Sequence, residues 1–263
     1  MALRAVLFDL DDTLLWDDRS VEEAFEATCR FAAERCGVDA ASLKEAVHTE
    51  ARALYQSYET FPFTQMIGIN PFEALWGNFT EGEDPNFRKL HELAPAYRKE
   101  AWTRGLRSVG IEDERLGAEL AELFPAERRK RAYVYPETFD VLNALKGKYK
   151  LLLLTNGSPD LQKEKLAGVP SLAPYFDHIV ISGEFGRGKP DPAIFEHAVS
   201  LLGIQPNEGL MIGDKLTTDI LGSSRIGMPN VWINHHGASV GDHVPPVHAI
   251  TKLEQLLAII DRS

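Results

Sequence analysis

The sequence predicts an α/β protein, a doubly wound parallel sheet with an all-helical domain inserted into it. Three observations predict this. Short apolar runs recur along the chain, helix-period segments separate the later ones, and the stretch 20–131 carries helix signals but no strand signal. In chain order the apolar runs are residues 3–8 (LRAVLF), 150–154 (KLLLL), 178–182 (HIVIS), 210–213 (LMIG) and 230–233 (NVWI). Continuous short runs of this kind fit strands buried on both faces, as in a parallel sheet. Between them, 136–145 opens with Pro136 and is followed by Gly147, 192–202 opens with Pro192 and is followed by Gly203, and 219–226 is followed by Gly227. Proline in a first turn and glycine past the end mark helices. The last segment opens with Thr251-Lys-Leu-Glu254, a capping-box pattern. Strand alternating with helix implies βαβ units.

The insert is justified the same way. Ser20-Val-Glu-Glu23 and Ser42-Leu-Lys-Glu45 read as capping boxes. Val21, Ala24, Phe25, Cys29, Ala32 and Cys36 line one helical face after the first; Leu43, Ala46, Val47, Leu54 and Tyr58 follow the second. Further helices are expected over 90–109, interrupted near Pro95, and over 113–130, with a Phe-, Gly- and Pro-rich loop at 60–82. This places a core in 1–18 and 132–263 and a helical domain in 19–131.

Composition narrows the function. The 263 residues carry a formal net charge of −11, and the pI near 5.2 argues against an extended nucleic-acid surface and against a polybasic membrane anchor. No apolar run approaches the ~18–20 residues of a membrane span, and Met1-Ala2-Leu3-Arg4 leads straight into a strand-like run instead of a signal peptide. Cys29 and Cys36 fall in one helical segment, seven positions or about 10 Å apart, too far for a disulfide. The cytoplasm is the expected compartment.

Four apolar runs end in, or lead into, polar clusters: Asp9-Leu10-Asp11-Asp12-Thr13, Thr155-Asn156-Gly157-Ser158, Gly188-Lys189-Pro190-Asp191 and Gly213-Asp214 with Asp219 beyond. Ligands of open α/β sheets bind beyond the carboxyl ends of the strands, so parallel strands would gather all four at one edge. Taken singly, each has a bland explanation: a turn, an N-cap, a solvated lysine. Together they form a metal-and-phosphate set. Crowded carboxylates resist joint ionisation unless a cation sits between them. Mg²⁺ needs few carboxylates, so Asp9 and Asp214 suffice, leaving another carboxyl for general acid/base work. A carboxylate attacking phosphorus gives an aspartyl-phosphate.

The ordered set Asp9-x-Asp11-x-Thr13, Thr155-Asn156, Lys189-Pro190 and Gly213-Asp214-x4-Asp219 resembles the haloacid dehalogenase-like (HAD) hydrolase superfamily. The resemblance covers roughly 1–18 and 132–250, and implies a Rossmann-like core with the insert as a helical C1-type cap. It implies Asp9 as nucleophile and Mg²⁺ ligand, and Asp11 as general acid/base whose backbone carbonyl also ligates the metal. Thr155 and the backbone at Asn156 would hold the phosphoryl group, and Lys189 would neutralise its charge. Asp214 would be a metal ligand, with Asp219 and Thr13 in support. Dehalogenases of the superfamily lack an acid at the Asp11 position and phosphonate-cleaving members carry a small residue there, so Asp11 favours phosphomonoester hydrolysis or phosphotransfer. Lys215 departs from the small polar residue many members carry after Gly-Asp.

The implied substrate is a small phosphorylated metabolite. A cap would exclude water and read the leaving group, with Arg19, Tyr58, Phe61, Phe63 and Gln65 as candidate contacts. His235-His236 reads as a loop pair, and Arg128-Arg129-Lys130-Arg131 as complementing a helix C-terminus. The alternatives are a phosphoglucomutase-like phosphotransferase and a phospho-receiver module. A receiver, however, places its acceptor after a middle strand and has no helical insert behind the first. Oligomeric state is left open.

Overall fold

The structure is a computed structural model and describes residues 2–261. Met1, the first residue of the expected core, and Arg262 and Ser263, its last, lie outside the described residues. The chain divides into two compact units: Met1–Asp17, Tyr133–Gly157 and Lys165–Ser263 in one, Asp18–Ala132 and Ser158–Glu164 in the other.

Among the described residues, the first unit holds one six-stranded sheet: β1 (Ala5–Phe8), β2 (Lys150–Thr155), β3 (His178–Ile181), β4 (Gly209–Gly213), β5 (Asn230–Ile233) and β6 (His248–Ile250). Their order is β3-β2-β1-β4-β5-β6, and every neighbouring pair is parallel. Side chains alternate between faces along a strand. Val6, Phe8, Leu151, Leu153 and Ile212 pack with Leu142, Leu145 and Leu256; Ala5, Leu7, Leu152, Leu154 and Met211 pack with Phe195, Ala198 and Leu202. Two cores on two faces make the sheet doubly wound, which is why its strands read as unbroken apolar runs.

Register fixes the site. Phe8 lies opposite Leu153 of β2 and Ile212 of β4, so these strands end within two residues of one another. The chain runs from β1 outward through β2 and β3, then crosses to β4 and continues the other way. That reversal between β1 and β4 is the topological switch point, where crevices open in such sheets.

The second unit is all-helical and has its own core, centred on Phe25, Trp102 and Phe124 with Leu43, Val47, Tyr97 and Leu120. The helix Pro85–Ser108 runs through Pro95 without the expected interruption. An interior proline costs about 3 kcal/mol. Burying Leu90, Tyr97 and Trp102 on the same helix outweighs that, at roughly 1.5–3 kcal/mol each. The expected loop 60–82 contains helices Phe61–Ile67 and Pro71–Ala74, because Phe63, Ile67 and Ala74 are core residues instead of loop ornaments.

Three capping assignments are corrected. The first helix begins at Asp17, so Ser20 is interior and its hydroxyl bonds the Arg131 carbonyl. The second begins at Ala40 with Asp39 as cap, which accepts from the Ser42 N–H at 2.8 Å. The C-terminal helix starts only at Gln255, whose own side chain accepts from the Thr251 N–H at 2.8 Å. Helix 192–202 is as expected, capped by Asp191 and closed by Gly203 at φ 62°. The segment expected as 219–226 starts earlier, with a wide π-type turn over Leu216–Ile220 running into Leu221–Arg225. Strand β6 was not anticipated: it has three residues, of which only Ile250 is buried, so it leaves no apolar run.

Candidate active site

All eight residues proposed from the sequence lie in the first unit, at the end of β2, in the segments just past β1, β2 and β4, and in the loop before helix Pro192–Leu202. Asp9 directly follows β1, and its N–H donates to the Ile212 carbonyl at 2.9 Å, extending the ladder by one residue. The chain then turns tightly. Asp12 adopts φ 56°, its N–H bonds the Leu15 carbonyl at 2.8 Å, and the Leu14 and Leu15 amides converge on the Leu10 carbonyl. A left-handed Asp is tolerated in such a turn, where its short side chain suits the conformation.

Lys189 binds the cluster together. Its buried ammonium donates to Asp9 Oδ1 at 2.6 Å and to the Leu154 carbonyl at 2.7 Å, and pairs with Asp219 Oδ1 at 2.7 Å. Two hydrogen bonds and one ion pair surround a group with three protons to give. The strand ends of β1 and β2 and the segment after β4 thus converge on one cation.

Asp219 is fully buried and accepts from the Lys215 N–H at 3.1 Å. Gly213 makes room for it, since a Cβ there would lie 2.3 Å from the Asp219 carboxyl carbon. Asp9, Asp214 and Asp219 bring carboxylate oxygens within 4.8 Å of one another.

The electrostatics follow from that crowding. Burial raises the Asp9 carboxyl to about 6; Lys189 opposes the rise and Asp219 adds to it. Burial also lifts Asp214 well above the usual carboxylate range, with Asp9 and Asp219 pushing the same way. For Lys189, burial alone would lower the ammonium, but Asp219 and Asp9 outweigh it and the net shift is upward. At Lys215, an exposed residue, partial desolvation of the ammonium opposes and Asp214, Asp9 and Asp11 prevail, so its net shift is also upward.

The remaining residues are placed as follows. Thr155 ends β2 and is buried. Asn156 turns its carboxamide to the Lys189 backbone, accepting from its N–H at 2.8 Å and donating to its carbonyl at 2.9 Å. Thr13 is fully buried and its hydroxyl has no hydrogen-bond partner among the described residues. Asp11 is engaged by Lys165, whose ammonium donates to Oδ2 at 2.8 Å and lies 3.9 Å from Asp17.

Sequence reasoning missed Lys165 and His235. Lys165 sits in a charged helical run that reads as a solvated face, yet its side chain is 2% exposed. His235, expected to be an ordinary loop residue, places Nε2 2.9 Å from the Asp12 carbonyl and stacks on Tyr135 with ring centroids 4.2 Å apart. Tyr135 in turn stacks on Trp16. No local signal marks either contact. Of the candidate cap residues, Arg19 pairs with Glu23 at 2.8 Å, Phe61 meets Tyr55, Tyr58 meets Tyr97, Phe63 is buried against Phe87, and Gln65 is exposed. Each of these contacts lies within the helical unit.

The donor set suits a hard divalent cation. It is all oxygen, it concentrates acids that oppose one another's ionisation, and Asp214 Oδ1 is buried without a hydrogen-bond partner among the described residues. A divalent ion would relieve both conditions.

A family model described as haloacid dehalogenase-like hydrolase matches residues 3–227. Among curated relatives, the phosphoserine phosphatase of Thermus thermophilus is 37% identical over 233 residues, 88% of this chain and 89% of its own length. The N-acylneuraminate-9-phosphatase of Mus musculus is 34% identical over 171 residues, 62% of this chain and 68% of that one. Among solved structures, the HAD-hydrolase YfnB from Bacillus subtilis matches with a TM-score of 0.68 at 22% identity, over 99% of this chain and 100% of that one, a likeness of fold. No helix among the described residues is long and apolar enough to cross a membrane.

Proposed function

The chain belongs to the haloacid dehalogenase-like hydrolase family and is a phosphatase, and from that premise we propose that it hydrolyses phosphomonoesters of small metabolites, using Mg²⁺ and an aspartyl-phosphate at Asp9. One observation carries this reading. A buried lysine touches Asp9 and Asp219 at once, while Asp214 completes an acid cluster beside them. Charge stabilisation and positioning are what phosphoryl transfer needs.

The roles follow. An Asp9 carboxylate oxygen attacks phosphorus as the ester P–O bond breaks, and Asp11 gives its proton to the departing oxygen. Asp11 then takes a proton from water, which attacks the phosphorus of the acyl phosphate, releases inorganic phosphate and restores Asp9. Lys189 keeps its proton throughout, because its two carboxylate partners favour the charged form. It therefore stands as a fixed positive charge beside the growing negative charge. Thr155 and the Asn156 backbone orient the phosphoryl oxygens, Asp219 holds Lys189, and Thr13 supports the turn. Asp9, Asp214 and the Asp11 carbonyl would hold Mg²⁺, which when bound neutralises phosphoryl charge.

The helical segment 19–131 is read as the cap domain on the strength of its place in the chain between β1 and β2. A cytoplasmic setting is supported by two free cysteines. The substrate class is supported by relatives named for phosphoserine, an N-acylneuraminate 9-phosphate and pyrimidine 5′-nucleotides.

The deciding experiment is a phosphate-release screen with Mg²⁺ over phosphoserine, phosphoglycolate, sugar phosphates and nucleoside monophosphates. Steady release from a subset is the expected result. Release from none would overturn the reading, and interconversion of sugar phosphates without release would replace it with a phosphotransferase.

A further inference from the structure

We propose that the Asn156 side chain is a positioning residue for Lys189, a clip that sets where the catalytic ammonium stands and makes no contact with substrate. This rests on the role of Lys189 given above and adds a part to it. The resemblance assigns work only to the backbone at residue 156. The side chain does something else: its carboxamide pairs with both the N–H and the C=O of Lys189, at 2.8 and 2.9 Å, as one peptide group pairs with another in a sheet. Those two bonds use one acceptor lone pair and one donor of the amide on a single residue 33 positions away.

The need for such a clip follows from the topology. Lys189 belongs to no strand. It lies between the short helix Ser182–Phe185 and the helix Pro192–Leu202, in a segment with one internal turn bond, from the Asp191 N–H to the Gly188 carbonyl at 2.9 Å. Its ammonium must nonetheless meet three oxygens, one past the end of β1, one in β2 and one beyond β4. A lysine side chain is long and flexible, so the three contacts fix its tip only if its Cα is fixed too. Asn156 directly follows β2, whose last five residues are buried, and is therefore a rigid base for the clip. Its neighbour Gly157 is anchored to the start of the helix Ser182–Phe185, donating to Ser182 Oγ at 2.9 Å and accepting from the Gly183 N–H at 3.1 Å. Lys189 and the helix that leads into its loop are thus both tied to the segment after β2.

Displacing a reacting or stabilising group by about 1 Å can cost 10²-fold in rate. Asn156→Ala should therefore lower kcat for p-nitrophenyl phosphate by about 10²-fold while KM moves less than about twofold. The discriminating measurement is a double-mutant cycle with Lys189→Met. Lys189→Met alone should lower kcat by about 10²–10³-fold or more, as loss of a charge-stabilising group does. If Asn156 acts through Lys189, then Asn156→Ala should change kcat less than about threefold in the Lys189→Met background. A full 10²-fold loss in that background, or a raised KM with kcat intact, would overturn the proposal in favour of direct substrate contact. Should Lys189→Met fail to fold, judged by circular dichroism and Tm, Lys189→Gln takes its corner of the cycle. Lys189→Met with undiminished activity would instead overturn the role of Lys189 itself, so the two failures are distinguishable.

Discussion

The Lys165 ammonium donates a 2.8 Å hydrogen bond to Asp11 Oδ2, joining the helix that follows β2 to the turn that follows β1. Both side chains are largely shielded from water, and Asp17 lies 3.9 Å from the same ammonium. Removing one partner of a buried pair leaves the other charge uncompensated. Lys165→Met should therefore destabilise the first unit by roughly 3–5 kcal/mol, read from urea unfolding. Lys165→Arg, which keeps the charge, should cost less. A loss under about 1 kcal/mol for Lys165→Met would mean that the pair behaves like a surface ion pair.

Asp9→Asn should abolish turnover with little change in Tm, since it relieves carboxylate crowding as well as removing a lysine partner. Undiminished phosphate release would remove Asp9 as the nucleophile.

Asp11→Asn should slow turnover by about 10²–10⁴-fold, the usual share of a general acid/base. With the water-activating group gone, the phosphorylated enzyme should persist, visible in intact-protein mass spectrometry as the mass of one added phosphoryl group.

EDTA should silence the enzyme and Mg²⁺ restore it. Independently of turnover, Mg²⁺ should raise the Tm of the wild type, because a ligand that binds only the folded state stabilises it. Asp214→Asn should lose most of that increment. An equal increment in wild type and variant would place the ion elsewhere.

His48 packs between Phe25 and Phe72 at ring distances of 4.4 and 4.6 Å, and burial holds its imidazole below the ordinary 6.5. The unfolded chain therefore takes up a proton at His48 that the folded chain resists. Its contribution to stability is full above pH ~6.5 and falls as the pH drops below that value. His48→Leu should show a smaller loss of urea midpoint between pH 7.5 and 5.5 than the wild type. Identical losses would contradict the assignment.

The thiols offer a test of the helical unit. Burial pushes Cys29 up to about 12, whereas Cys36 is exposed. At pH 8 the Cys29 thiolate fraction is about 10⁻⁴, so iodoacetamide should label one thiol per folded chain, and Cys36→Ser should remove that label. Two fast-reacting thiols would mean an open helical core.

The sheet was legible because burial on both faces writes itself into sequence as apolar runs, and the candidate site because three strand ends and one later loop carry residues that turns alone do not require. What escaped was set by tertiary contact. Pro95 is interior because Tyr97 and Trp102 are buried around it. Ser20 resembles a cap only until Arg131 claims its hydroxyl. Lys165 and His235 bond to the turn after β1 from 154 and 223 residues away, distances over which local spacing carries no information.

Gly213 brings a last consequence. With the Asp219 carboxyl carbon 2.3 Å from where a methyl group would sit, not even alanine fits without pushing aside the acid that steadies Lys189. A saturation library at this codon, selected for turnover, should return one amino acid. Such a library would register the pressure of an aspartate side chain on bare backbone, a constraint that reaches the ammonium beside Asp9 without residue 213 ever meeting the substrate.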